Sequence, residues 1–428
     1  MARFTENRWT SAIIPALLIH IPIGTVYCWS VFKQLIADRL NASPASVEWG
    51  FSLAIFFLGM SAAFAGPMVE KNIKKSALVS MVCFVVGFAG TGVSIALGFL
   101  PGVFICYGAI MGIGLGVGYL TPVKNLMLWF SDNKGLATGI AVAGFGLAKA
   151  IASPLMEYLI GTVGLVNMFF ILAVIYAVMM FFGFLLIKRP ADWVYDPATS
   201  HVSRAEILRK PVFWGIWIAF YINITCGLAL ISQEKDILHD VLKAFPQYAG
   251  LSPAKFAAAI AGIIGLVLAV DSVFNTAGRV GFSTLSDHLK RRETVYQVIF
   301  IMSIAVCLLQ IFTNSINNAL LWAVLAMLFL INAGYGGGFS TLPVLLDQHF
   351  GTKTVSTTHG LALSAWAFAG LSGNQLASFV VTHTPDQAHR YAALILVLTG
   401  LFALALISIS LVKYLGGRNG EGKRSIGA

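Results

Sequence analysis

Three residues spaced four apart, Asp271, Asn275 and Arg279, form the most chemically loaded pattern in the chain. At helical spacing they stack on one face, within an otherwise apolar run, 256–283. A charge inside such a run is costly and as a rule faces a cavity or a partner. A guanidinium presents a planar fork of donors that fits a carboxylate better than an ammonium does. Arg279 is therefore the foremost candidate for holding an anion. The competing reading is a snorkelling side chain, since it stands about one turn from the expected helix end. Asp271, near the middle of the run, is a candidate for proton coupling, against the alternative of an acid that only ties helices together.

Other polar groups occupy apolar runs. Lys124 and Lys149 are candidate second contacts for an anion if they face a cavity, and candidate titrating groups if desolvated; if they snorkel they add little. Tyr119 and Tyr335 lie at similar places in their two halves, near Thr121-Pro122 and Gly336-Gly337-Gly338, where a hydroxyl can donate to an anion and a ring can line a cavity. Tyr27 and Trp29 are weaker candidates of the same kind, with core packing as the alternative for all four. His20 and His359 could titrate near neutral pH. A satisfied neutral ring is the plainer reading of His20, whereas His359 follows Thr357-Thr358 in an unusually polar helix start.

The elements that must position these residues follow from composition. Of 428 residues, 58% are hydrophobic and 11% charged, against about a quarter charged in soluble domains. The main solvent of such a chain is lipid. Runs of about 20 apolar residues make spanning helices, and the sequence predicts twelve: 9–31, 49–69, 77–98, 102–128, 135–157, 165–187, 212–232, 256–283, 294–312, 320–346, 357–381 and 390–412. The expected fold is all-α and polytopic, with two six-helix bundles: 1–187, and 212–428 with a short tail. Between them a polar connector, 188–211, is bounded by Pro190 and Pro211 and carries a weak surface helix over Val202–Leu208.

With both termini on the cytoplasmic side, nineteen of the 28 lysines and arginines fall on inner segments, Arg3 and Arg8 among them, as the positive-inside rule requires. The net charge of +10 is then an orientation signal, not a nucleic-acid footprint. The five cysteines sit singly in apolar runs and read as packing residues. Paired metal ligands, a nucleotide loop and a nucleophile triad are all missing from the sequence, and no cofactor is expected. Gly108, Gly112 and Gly116, with Gly114 and Gly118, and then Gly135, Gly139, Gly144 and Gly146, suit helices that approach closely and slide.

One motif recurs. Gly66-Pro-Met-Val-Glu70-Lys71-Asn-Ile-Lys74-Lys75 follows the second predicted helix, and Ser283-Thr-Leu-Ser-Asp287-His-Leu-Lys290-Arg291-Arg292 follows the eighth. In each an acid precedes a basic pair, as for a tight turn whose acid caps a neighbouring helix while the basic pair anchors the inner face. These loops resemble the signature of the major facilitator superfamily, with Glu70, Ile73, Ser283, His288 and Lys290 as departures.

Gly24-Thr-Val-Tyr27-Cys-Trp29, Gly118-Tyr119, the stretch Trp129 to Gly139, Leu230-Ile-Ser-Gln233 and Asn275-Thr-Ala-Gly-Arg279 narrow the resemblance to the oxalate/formate antiporter family, close to the monocarboxylate transporters. It covers roughly 9–412. The resemblance implies a secondary transporter, not an enzyme, that moves small carboxylates by alternating access. The motion would be rocking of 1–187 against 212–412 around a central cavity. It also implies that Arg279 binds the substrate carboxylate.

Monocarboxylate transporters commonly carry an aspartate where Asn275 stands. Trp366 occupies a position that is lysine in the oxalate exchanger; the missing cation and the aromatic wall favour a monocarboxylate of the formate, lactate or pyruvate type. Lys124 and Lys149 keep an oxalate or dicarboxylate exchanger open. The partners expected are the anion, a co-transported proton or an exchanged anion, and the lipid bilayer, with one chain sufficient for the cycle. The expected location is a bacterial inner membrane. A carboxylate sensor or adaptor that keeps the fold without transporting is the rival from another class.

Overall fold

The computed structural model describes residues 7–195, 203–313, 318–385 and 389–424. Arg3 and Val202 lie outside the described residues, as do the side chains of Arg418, Lys423 and Arg424. The described chain is all helical: α1 (Trp9–Leu40), α2 (Pro44–Lys71), α3 (Ile73–Ala96), α4 (Leu100–Trp129), α5 (Lys134–Val163) and α6 (Leu165–Leu186). After α7 (Arg204–Leu208) come α8 (Pro211–Lys243), α9 (Pro253–Asp287), α10 (Glu293–Phe312), α11 (Asn318–Phe350), α12 (Val355–His383) and α13 (Arg390–Arg424). Eleven of these are long and apolar enough to cross a membrane.

The predicted span 357–381 is formed as α12, yet α12 is not among the eleven. Its apolar run is interrupted by Ser356, Thr357, Thr358, His359, Ser364 and Ser372. Several helices outrun their expected ends: α13 reaches Arg424, twelve residues past 412, α5 reaches Val163, and two others are instructive. α1 continues through Lys33 and Arg39 to Leu40 before Asn41 stops it in the left-handed region, φ 48°. α8 continues from 232 to Lys243 because Ile237, Leu238 and Leu242 prolong a buried stripe, and no proline intervenes before Pro246.

Local chemistry sets the other boundaries. The Ser43 hydroxyl accepts from the Ser46 amide at 3.1 Å, and Pro44 opens α2. Asn72 caps α3 by accepting from the Lys75 amide at 2.9 Å. α1 is not uniform: Pro22 withholds a donor, and Thr25–Cys28 tighten into a 3₁₀ turn.

The chain divides into two compact units. Unit 1 combines 1–210 with 340–368, and unit 2 combines 211–339 with 369–428. In unit 1 the row Gly108, Gly112, Gly116 lies against Leu53, Ala54 and Leu58 of α2, while Gly114 lies against Ser80 and Phe84 of α3. One glycine-rich helix is thereby wedged close to two neighbours, where any Cβ would collide with backbone or side chain. In unit 2, α13 packs along α8 and α10.

Candidate functional site

Unit 2 carries the stripe on α9. A Cβ at Gly278 would strike the Ala333 carbonyl, and one at Gly336 the Asn275 carbonyl. Two glycines thus let α9 and α11 run nearly backbone to backbone beside Arg279. Arg279 is 1% exposed, the second-largest of the fully buried side chains, and its guanidinium lies 5.5 Å from the centre of the Phe339 ring. Its Nε donates to Asn275 Oδ1 at 2.9 Å. Asn275 Nδ2 donates in turn to Asn332 Oδ1 on α11 at 2.8 Å, and Asn332 Nδ2 donates to Asp271 Oδ2. Asp271 is buried and lines a small cleft with Asn332 and with Glu234 of α8. Tyr335 is buried against Gly227 and edge-on to Phe339, at 5.2 Å. Arg279 and Tyr335 therefore meet at Phe339, and the rest of the predicted stripe leads away from it through Asn275 to Asp271.

Unit 1 gathers a second set of predicted residues. The Tyr119 ring stacks on His20 at 5.5 Å and meets Trp366 edge-on at 5.5 Å, with His359 at 6.0 Å. Phe145 closes the cluster against Trp366 at 5.8 Å, and Tyr27, half-buried, reaches Phe145 at 5.3 Å. Both ring nitrogens of His20 face carbonyl oxygens, Ala141 at 2.5 Å and Tyr119 at 3.2 Å. A neutral imidazole can donate to only one of them. Among the described residues His359 Nε2 is buried without a hydrogen-bond partner. Trp29 packs elsewhere, on Tyr107 at 4.7 Å and Phe32 at 5.4 Å.

The two lysines part company. Lys124 is 1% exposed, pairs with Glu70 of α2 at 3.1 Å, and donates to the Thr352 carbonyl. The same Glu70 Oε1 accepts from the Ser356 amide at 3.1 Å, in the first turn of α12. The acid of the repeated motif thus caps a neighbouring helix, where the macrodipole favours an anion. Close by, Lys134 pairs with Asp347 and donates to Thr352 Oγ1, both at 2.8 Å. Arg189 of the connector donates to the carbonyls of Val69 at 2.5 Å and Glu70 at 3.3 Å. Burial pulls its pKa down to about 10 against the opposing pull of Glu70, so it stays cationic at neutral pH. Lys149, by contrast, is exposed on α5.

Sequence reasoning passed over Asn332 and Glu234. Each is a polar residue within a predicted helix or just past its end, and the argument that singled out Asp271 would have found both. It also quoted Glu70 for its motif without foreseeing its pairing with Lys124. Among the described residues no cluster of His, Cys, Asp and Glu could hold a metal.

A polytopic helical chain, with cations buried on inward helix faces and glycine-lined helix contacts, defines a membrane carrier of small solutes. Residues 17–374 match the Major Facilitator Superfamily, and the chain belongs to it. Membership makes it a multi-pass secondary transporter, not an enzyme. It is 25% identical over 407 residues to the oxalate:formate antiporter of Oxalobacter formigenes, covering 94% of this chain and 90% of that protein. It is 22% identical to apicoplast pyruvate carrier 1 of Toxoplasma gondii, covering 87% and 82% respectively. Among solved structures, a bacterial homologue of the iron transporter ferroportin, in an outward-facing state, superposes with a TM-score of 0.70 at 12% identity, over 94% of this chain and 98% of that one.

Proposed function

We propose that the protein carries small monocarboxylates, of the formate, lactate or pyruvate type, across a bacterial inner membrane by alternating access. The observation that carries this reading is Arg279: a buried guanidinium in a membrane span, fixed by a neutral amide and an aromatic ring. Such a group is costly unless it is used, and its fork suits a carboxylate. Likeness to an oxalate:formate antiporter and to a pyruvate carrier supports a carboxylate as cargo.

The fold would complete twelve crossings with α12 as the eleventh in order, in bundles 1–187 and 212–428 joined by 188–211, both termini cytoplasmic and one chain sufficient. α12 is long enough for this, at 29 residues. Tyr335 and Asn275 flank Arg279, while Tyr119, Trp366 and Tyr27 offer an apolar wall suited to a small or weakly polar acid. Asp271, His20 and His359 remain the groups proposed for proton coupling. Lys124 is matched by Glu70, which removes one of the cations that a dianion would need. Lys149 is the other lysine that a dicarboxylate exchanger would use.

The test is uptake of labelled formate, lactate, pyruvate and oxalate into proteoliposomes, with and without a pH gradient or trapped anion. Arg279-dependent uptake of a monocarboxylate is the expected result. Oxalate uptake that exceeds all three and needs internal anion would favour the exchanger. Binding without uptake would favour the sensor.

A further inference from the structure

The link between Arg279 and Asp271 is itself informative. Eight residues on a helix separate them by about 12 Å, too far for direct contact, yet three hydrogen bonds connect them through Asn275 and Asn332. The orientation of both amides is dictated by chemistry. A guanidinium only donates and an ionised carboxylate only accepts, so each amide must present its oxygen toward Arg279 and its nitrogen toward Asp271. The chain is polar from end to end, and every donor points toward the acid.

We propose that Asn332 is a positioning residue that ties the protonation of Asp271 to the hold of Arg279 on its carboxylate substrate. The inference rests on the reading of Arg279 as the substrate site. With Asp271 ionised, the aligned amides hold Asn275 Oδ1 on Arg279 Nε, and the negative end of the chain competes with an arriving anion. A proton taken from solvent onto Asp271 cancels the competing charge, and when it sits on Oδ2 it turns the atom that accepts from Asn332 into a donor and removes the reason for the amide alignment. Anion affinity then rises as pH falls, and one anion and one proton bind together with no net change of charge.

Asn332 carries this role because it joins the two ends across helices: Asn275 and Asp271 share α9, whereas Asn332 arrives from α11. Among the described residues lining the cleft, Glu234 of α8 is the titratable group beside Asp271, and the rest of the lining is apolar apart from Asn332.

The experiment is equilibrium binding of labelled formate, lactate, pyruvate and oxalate to the purified full-length protein, from mildly acid to mildly alkaline pH. For the wild type, affinity should rise on acidification by up to about tenfold per pH unit, the limit for one linked proton. Asp271→Asn should bind tightly with a flat profile, and Glu234→Gln should keep the wild-type slope. Asn332→Leu should still bind but with its slope reduced to roughly half or less of the one-proton limit. If that variant does not fold, Asn332→Ala, whose side chain has neither donor nor acceptor, carries the same expectation. A wild-type slope in a folded Asn332 variant, a slope that follows Glu234 and not Asp271, or a flat wild-type profile overturns the relay. Each of these leaves Arg279-dependent binding intact. Failure of all four anions to bind, or undiminished binding by Arg279→Gln, overturns the carboxylate reading and the relay with it.

Discussion

Two buried cations, one in each unit, meet an acid in different ways. Lys124 touches Glu70 directly at 3.1 Å, and both side chains are almost wholly buried, at 1% and 2% exposure. Arg279 meets a neutral amide first, and Asp271 stands two amides further on. In the first arrangement the charges neutralise each other, and Glu70 also caps α12. Such a pair is expected to hold the architecture together. In the second, a neutral amide holds the guanidinium and the acid is reached through two amides, the arrangement expected of the proposed binding group. The difference teaches that burial of a cation is not by itself a sign of function; the distance to its counter-charge separates the two cases.

The largest expected effect is at Arg279. Arg279→Gln should cost about 2–5 kcal/mol of anion binding, the usual loss when one partner of a desolvated charge contact is truncated. That is roughly 30-fold to several thousand-fold in affinity. Its thermal melting in detergent should change far less than that of the Glu70 variant. Equal losses of stability in the two would erase the contrast between them.

Glu70→Gln comes next. It leaves Lys124 buried opposite a neutral group, with an expected destabilisation of about 3–5 kcal/mol, read as a lowered melting temperature. Converting both residues to apolar ones of similar volume should recover much of the loss. A smaller effect is expected from Tyr119→Phe, which keeps the ring contacts with His20 and Trp366 and removes only a hydroxyl: about 1 kcal/mol in transport or stability. Smallest is Lys149→Gln. If the cargo is a monocarboxylate that does not reach Lys149, this exposed lysine should change uptake by less than about twofold, since surface charge effects are commonly below 1 kcal/mol. A large selective loss of oxalate uptake would instead place Lys149 in the anion path.

Much of this was legible in the sequence because it is local. Periodicity and apolar run length located the helices and most of their ends to within a few residues, the far ends of α1, α5, α8 and α13 excepted, and spacing of four predicted the stripe that Asp271, Asn275 and Arg279 form. The acid-then-basic-pair turn gave a capping role for Glu70 before its partner was known. What stayed hidden depends on distant segments meeting. Glu70 and Lys124 are 54 positions apart, and Asn275 and Asn332 are 57 apart; no pattern within one helix announces either meeting. The extension of α8 was missed for another reason. Its last eleven residues are amphipathic rather than apolar, so a search for lipid-like runs stops where the helix does not.

That extension has a mechanical consequence. α8 has 33 residues and is therefore about 50 Å long, against a hydrocarbon layer of about 30 Å. Its C-terminal end is tied to the start of α13 by the 2.6 Å contact between Asp240 and Arg390. A stiff rod of that length works as a lever arm. A tilt of about 10° about one end carries the other through roughly 9 Å, well within the reach of paired spin labels. Probes near Asp240 would therefore convert small rotations of the helix into large, easily measured displacements.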